Sequence, residues 1–149
     1  MRRSELRDRH RAVAAIEWRG KRATSMLEAG DLDRFEAIEG LNLPDADSYE
    51  LVDVDTGIDL RNVTPDDALP RILEAGRSPL TVEEGIALIA QHPEALGRNA
   101  GFSLLGSRCG DKRVPALWIS KGAPKLGWCW AGNPHTWLGS ASCAARLGA

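Results

Sequence analysis

Apolar positions at the start of the chain recur with the period of a helix. Leu6, Val13 and Leu27 fall on one seven-residue repeat, and polar residues fill most positions between them. Such spacing places the apolar side chains along one stripe of a helix. The pattern therefore predicts a single helix over residues 1–29, ended by Gly30, because glycine commonly follows the last helical residue.

The next segment changes from a helical to an alternating pattern. Asp31 is a suitable cap for a second helix that ends at Gly40. Apolar and polar residues alternate over residues 49–54, which predicts a strand with one buried face. An Asp-Thr-Gly turn follows, and residues 58–63 are expected to return as the partner strand of a β-hairpin.

Two helix starts in the middle of the chain carry strong local signals. Thr64 is followed by Pro65 and by an acid three residues after the threonine. Threonine caps the first turn and proline suits the first helical position, so a helix is predicted here, short or kinked at Pro70. Thr81 begins the same capping pattern, and its helix is expected to end near Pro93.

The last third of the chain reads as short strands. The four predicted strands cover residues 102–106, 114–120, 126–131 and 136–140. Because short connections favour antiparallel neighbours, these strands predict a C-terminal antiparallel sheet of three to four strands. The expected fold class is α+β, with N-terminal helices, a central β-hairpin, two capped helices and that sheet. Residues 1–23 are predicted to be a basic helical arm, and residues 24–149 a single α+β domain.

Charge is distributed unevenly, although 19 basic and 21 acidic residues leave a net charge of only −2. Residues 1–29 carry a net charge of +4, residues 30–100 of −11 and residues 101–149 of +5. Acids in the first turns of helices oppose the helix dipole favourably, and they account for much of the acidic middle. The distribution excludes a uniformly basic nucleic-acid binder and leaves the basic last third unexplained.

Membrane and export signals are missing from the sequence pattern. No apolar run approaches the roughly 18 residues of a membrane-spanning helix. The arginines near the N-terminus are not followed by the apolar segment of a secretory signal. Three cysteines are too few and too uneven for a disulfide framework. We therefore expect a cytoplasmic protein without a membrane partner.

Tryptophans are concentrated in the basic last third. Four of the five fall within 20 residues, at Trp118, Trp128, Trp130 and Trp137. In a strand, Trp128 and Trp130 point to the same face, whereas the face of Trp118 depends on the hairpin register. That face is either part of the core or a binding platform.

Polar and basic residues accompany these tryptophans and indicate a site. They are Arg113, Lys121, Lys125, Asn133 and His135. Aromatic rings that alternate with cations suit stacking on bases combined with phosphate contacts. We therefore expect a non-enzymatic binding module for an anionic ligand: a nucleotide, a single-stranded nucleic acid or an acidic protein segment.

Two other functional classes remain open at this point. Cys109, Cys129 and Cys143 together with His135 form a candidate zinc set, or supply a cysteine–histidine nucleophile pair for an enzyme. Basic neighbours of Cys109 are expected to lower the pKa of its thiol. Alternatively, the protein is structural and associates with itself through its basic ends and acidic middle.

The chain also resembles an uncharacterised bacterial family, a domain of unknown function with a C-terminal Trp-rich block. The similar segments are residues 49–57, 62–68, 79–87 and 102–146. The resemblance covers about residues 24–149, and residues 1–23 depart from it. It implies no activity, cofactor or catalytic residue.

Overall fold

A computed structural model describes residue 6, residues 8–27 and residues 29–148, with the side chain of Ala29 excepted, and it confirms the α+β fold class. The helices of these residues are α1 (Arg9–Ala14), α2 (Ala29–Asp33), α3 (Pro65–Glu74) and α4 (Val82–Gln91). Their strands are β1 (Glu17–Trp18), β2 (Lys21–Arg22), β3 (Thr24–Ser25), β4 (Glu36–Ala37), β5 (Tyr49–Val52), β6 (Ser78–Pro79), β7 (Gly101–Ser103), β8 (Ser107–Arg108), β9 (Arg113–Ser120), β10 (Ala123–Trp130), β11 (Leu138–Ser140), β12 (Ser142–Cys143) and β13 (Ala145–Gly148).

The prediction of one long N-terminal helix is wrong, and so is the prediction of a helical arm over residues 1–23. Helix α1 ends after six residues, and β1 and β2 form a hairpin directly after it. Arg19 and Gly20, in the turn between β1 and β2, both adopt positive φ, of 48° and 79°, which suits a tight hairpin turn and not a continuous helix. The Trp18 indole is buried, and its Nε1 donates to the Leu96 carbonyl at 2.8 Å. The described part of the segment therefore packs into the main core, while residues 1–5, 7 and 28 of the predicted helix lie outside the described residues.

The second helix is shorter than predicted and starts earlier. Asp31 lies inside α2 and does not cap it. The chain then extends as β4, which pairs antiparallel with β8. Leu32 and Phe35 are nonetheless fully buried, as the apolar pattern required.

The prediction of a central β-hairpin is also wrong. Strand β5 pairs antiparallel with β13, and residues Ile58–Leu60 form a 3-10 helix where the return strand was expected. Asp55 pairs through its backbone with Ser142, and its Oδ1 accepts from the Gly57 amide at 2.7 Å. The turn at Asp55–Gly57 therefore agrees with the prediction, but the partner strand comes from the far end of the chain.

Both predicted helix caps are confirmed. The Thr64 side chain accepts from the Asp67 amide at 3.1 Å, and Thr81 forms a complete capping box with Glu84. Helix α3 continues through Pro70 to Glu74 and is longer than the proline suggested.

A five-stranded sheet organises the C-terminal part, in the order β11-β7-β9-β10-β3. Its two central pairings, β7 with β9 and β9 with β10, are antiparallel as predicted. Both edge pairings are parallel, which corrects the expectation of an entirely antiparallel sheet. Strands β3 and β11 reach the sheet from segments outside the hairpin, so short connections do not determine their direction.

Apolar side chains form two clusters on this framework. The larger one includes Phe35, Ile86 and Leu117, and the smaller one joins Ala68 and Ile72 of α3 to the sheet. None of the helices in the described ranges is long and apolar enough to cross a membrane.

A buried ion pair connects α4 to β13, and nothing in the sequence pattern indicated it. Arg146 donates to both carboxylate oxygens of Glu84, at 2.6 and 2.8 Å, and the two side chains are only 5% and 3% exposed. The same guanidinium donates to Ser78 Oγ and to the Pro79 carbonyl. Tyr49 Oη donates to Glu84 Oε2 at 2.8 Å. The nitrogens of the Arg146 guanidinium and both oxygens of the Glu84 carboxylate therefore have hydrogen-bond partners, as buried charges require.

Candidate functional site

The register of the β9–β10 hairpin divides the predicted site between two faces of the sheet. Lys125 lies opposite Trp118, and Trp130 lies opposite Arg113. Residues directly opposite each other in an antiparallel pair share a face, and neighbours along a strand alternate. The Trp118 face carries Trp118, Lys125, Gly127 and Cys129, and the Trp128 face carries Arg113, Trp128 and Trp130. Trp118 therefore does not join the Trp128–Trp130 pair.

The Trp128 face is mostly structural. Its two indoles pack edge to face with ring centroids 4.5 Å apart, and Trp128 rests against the larger core. Arg113 Nε donates to Asp111 Oδ2 at 2.9 Å, and a second carboxylate, Asp31, lies 3.8 Å from its Nη1. Two acids already surround this guanidinium, so it is poorly placed to attract an anion. Trp130, at 46% exposure, remains the accessible ring on this face.

The Trp118 face carries a continuous row of rings. Trp118 and Trp137 meet edge to face with centroids 5.6 Å apart. The imidazole of His135 lies 5.0 Å from the Trp137 ring at a tilt of 38°. All three rings are half-buried, so each is held in position while one part stays open.

Two glycines allow the Trp118 ring to lie close to the sheet. A Cβ on Gly127 would overlap the tip of the Trp118 indole and the Met26 thioether. A Cβ on Gly101 would come within 2.8 Å of the Trp118 Cβ. The glycines therefore leave the space that the indole occupies.

Helix α3 covers only one half of this face. Ala68 and Ile72 pack on Val114, Ala116 and Cys129, while the two tryptophans lie at the margin of that cluster. Beyond the margin is an open cavity of about 210 Å³, whose walls are Asn99, Gly101, Trp118, Ile119 and Trp137. The uncovered half of the sheet thus contains the ring row and a cavity beside it.

Cations flank the cavity. Lys125 lies across from Trp118, and the exposed Lys121 sits in the hairpin turn two residues after Ile119. On the other side, Arg61 Nη1 donates to the Asn99 carbonyl at 3.3 Å. The walls of the cavity include no acid among the residues that the structure describes.

The loop that joins β10 to Trp137 contributes one of its two predicted residues. The carbonyl of His135 accepts from the Asn62 amide at 2.8 Å, which fixes the imidazole beside Trp137. Asn133 is exposed, and its backbone amide donates to the Trp130 carbonyl. Asn133 therefore lies at the opposite end of β10 from Lys125. Asn133 is therefore separated from the ring row.

Sequence reasoning missed Arg61, Asn99, Gly101 and Ile119. Asn99, Gly101 and Ile119 line the cavity and Arg61 bonds to Asn99, through pairings between distant parts of the chain that no local pattern reveals. One signal was present: the run from Gly97 to Gly101 is typical of a tight turn. In the structure Asn99 adopts a φ of 56° there.

The cysteines occupy separate environments. Cys129 lies beside Ser103 under α3, Cys143 lies in the larger core, and Cys109 lies in the loop after β8. Histidine, cysteine and carboxylate side chains do not gather in any group of three or more that could hold a metal ion, within the part of the chain that is described.

The thiols are also unlike activated nucleophiles. Burial raises the pKa of all three, and a hydrogen bond to Asp111 raises the pKa of Cys109 further. The expectation that basic neighbours lower the pKa of Cys109 is wrong, because burial and Asp111 outweigh Arg113.

Two larger cavities, of about 590 and 940 Å³, lie along β5 and α4. The walls of the first include Asp45, Asp47, Glu83 and Glu84. Carboxylates in these positions disfavour an anion. The cavity of about 590 Å³ is therefore a worse candidate for an anionic ligand than the smaller cavity beside Trp118, despite its size.

Fold and site together define a small α+β protein with a half-covered aromatic sheet face. The chain belongs to a family of unknown function, DUF5701, which matches residues 2–149. The match begins well before residue 24, so the first strands and α1 are part of the family's pattern. No curated protein and no solved structure matches the chain.

Proposed function

We propose that this protein is a non-enzymatic binding module and that its ligand is an anion with a planar ring. The observation that carries the proposal is the ring row of Trp118, Trp137 and His135, with Lys125 beside it on an uncovered half of the sheet. Nucleotides and single-stranded nucleic acids combine a stacking ring with a phosphate. An acidic protein segment supplies the charge but no ring, so it suits this surface less well.

Stacking and charge act together at such a surface. A base that stacks on an aromatic side chain gains about 1–3 kcal/mol, and the gain depends little on the identity of the base. Half-buried rings are already fixed, so little side-chain entropy is lost when the ligand binds. Lys125 then attracts the phosphate, in a contact that weakens as salt increases.

We also propose a cytoplasmic location. Three free cysteines are typical of a reducing compartment, which supports a cytoplasmic location.

Titration of the protein with AMP and with octathymidylate tests the proposal. We expect tryptophan fluorescence to change on binding, and Trp137→Ala to weaken binding about tenfold through lost stacking. Trp130→Ala is the matched control, because Trp130 is an exposed indole on the opposite face. It should leave the affinity unchanged.

Circular dichroism of each variant shows whether it folds. The proposal is wrong if neither probe alters the fluorescence of the folded protein. It is equally wrong if Trp130→Ala weakens binding as much as Trp137→Ala does.

A further inference from the structure

The cavity beside Trp118 has the size of a single ring system. Its volume of about 210 Å³ lies below the roughly 300–1,000 Å³ of cavities that enclose a whole drug-sized ligand. The cavity is open to solvent, and Trp118 and Trp137 are its aromatic walls. A base fits such a space, whereas its sugar and phosphate have to remain outside.

Cationic side chains lie on two opposite sides of this cavity. Lys125 lies on β10, Trp118 on β9 and Gly101 on β7, in that order across the sheet. Two strand spacings of about 4.8 Å place the β7 side about 10 Å from the strand of Lys125. Arg61 bonds to Asn99, which lines the cavity on the β7 side.

Because Lys125 and Arg61 flank the cavity from opposite sides, two phosphates suit them better than one phosphate whose own base fills the cavity. An internal nucleotide of a strand has a phosphate on each side of its base. From this arrangement we infer that the site binds single-stranded nucleic acid. One internal base lies against Trp118 and Trp137, and the flanking phosphates lie at Lys125 and Arg61. The inference deepens the proposed function and rests on it.

A length series distinguishes a strand from a single nucleotide. The probe is fluorescein-labelled octathymidylate, observed by anisotropy, and the competitors are thymidine monophosphate, trithymidylate, octathymidylate and octaglutamate. We expect trithymidylate, whose central base has a phosphate on each side, to bind at least about tenfold more tightly than the monophosphate.

The outcomes separate the two proposals. If the monophosphate competes as well as octathymidylate, the strand inference is overturned while the proposed function stands. Equal competition by octaglutamate overturns the inference too, because a peptide has no base to place. If no probe binds, both proposals fail.

Salt dependence tests the two-sided arrangement directly. Each phosphate contact contributes about 0.7 to the slope of log affinity against log salt for single strands. Arg61→Gln and Lys125→Gln should therefore each reduce the slope by about 0.7, and the double variant by about 1.4. Lys112→Gln is the control, since this exposed lysine precedes β9 at the end farthest from the β9–β10 turn. A reduction from only one of the two cavity variants overturns the inference.

Discussion

Gly57 shows how closely two backbone segments approach each other in this fold. It adopts a φ of 83°, and a Cβ at this position would overlap the backbone of Ser140. Its neighbour across the contact is also a glycine, Gly139, whose Cβ would overlap the Gly57 carbonyl. Two facing glycines thus let the loop after β5 lie against β11.

Gly57→Ala should be clearly destabilising, and Gly20→Ala is its matched control. Gly20 has a similar φ of 79°, but nothing lies within 4 Å of the added Cβ. Both variants bear the cost of a left-handed alanine, about 1–2 kcal/mol. Only Gly57→Ala adds overpacking, about 1–3 kcal/mol. Urea unfolding measures both free energies, and equal losses would contradict the close approach.

At the scale of elements, α3 determines how much of the Trp118 face is covered. The helix begins at a Thr64 cap and holds Ala68 and Ile72 against the sheet. Its first turn also bonds to the residue that follows β10, because the Asp66 backbone amide donates to the Ala131 carbonyl at 3.0 Å. The position of this helix therefore sets the margin of the uncovered half.

Thr64→Ala should lower the free energy of unfolding by about 1 kcal/mol, because the Asp67 amide loses its side-chain acceptor. Thr64→Ser retains the hydroxyl and should lose much less. Thermal and urea unfolding of the two variants provide the comparison. A serine variant as unstable as the alanine variant would show that the methyl group, and not the hydrogen bond, matters.

Local signals in the sequence predicted elements well where the determinants are local. The caps at Thr64 and Thr81 need only residues three positions away, and both formed as expected. The return strand after Gly57 and the helix over residues 1–29 were wrong for the opposite reason. The partner of β5 is β13, from the far end of the chain. The fold of the first residues depends on the burial of Trp18 against Leu96, which is also distant in sequence.

The candidate site divides in the same way. Alternation along one strand correctly placed Trp128 and Trp130 on a common face. The face of Trp118 depends on the register of a turn, and Lys121 and Gly122 at positive φ fix that register. Arg61 and Asn99 meet only after the whole chain has folded, so no sequence pattern pointed to their contact.

For the whole molecule, the Glu84–Arg146 pair links stability to pH. Burial alone would raise the pKa of Glu84. The hydrogen bonds from Arg146, Thr81 and Tyr49 outweigh burial and lower that pKa below its ordinary value of 4.5. The unfolded chain therefore binds a proton at a higher pH than the folded protein does. This contribution to stability is complete above about pH 4.5 and is lost as pH falls through the folded pKa.

Glu84→Gln should flatten this acid-side dependence and destabilise the protein at pH 7 by about 3–5 kcal/mol, because Arg146 is left buried without a carboxylate. Glu74→Gln, at an exposed position in the last turn of α3, is the control and should change neither quantity measurably. Urea unfolding between pH 3 and pH 7 gives both. An unchanged pH profile in Glu84→Gln would contradict the assignment.

The parallel edges of the central sheet have a kinetic consequence. Strands β9 and β10 are joined by a two-residue turn, and such a hairpin closes in about 1–10 µs. Strand β3 meets β10 only after a loop of most of the chain has closed, and that closure costs more entropy. We therefore expect the hairpin to belong to the folding nucleus and the β3 edge to form after the transition state. We expect substitutions in β3 to accelerate unfolding with little effect on the folding rate, and substitutions in the hairpin to slow folding.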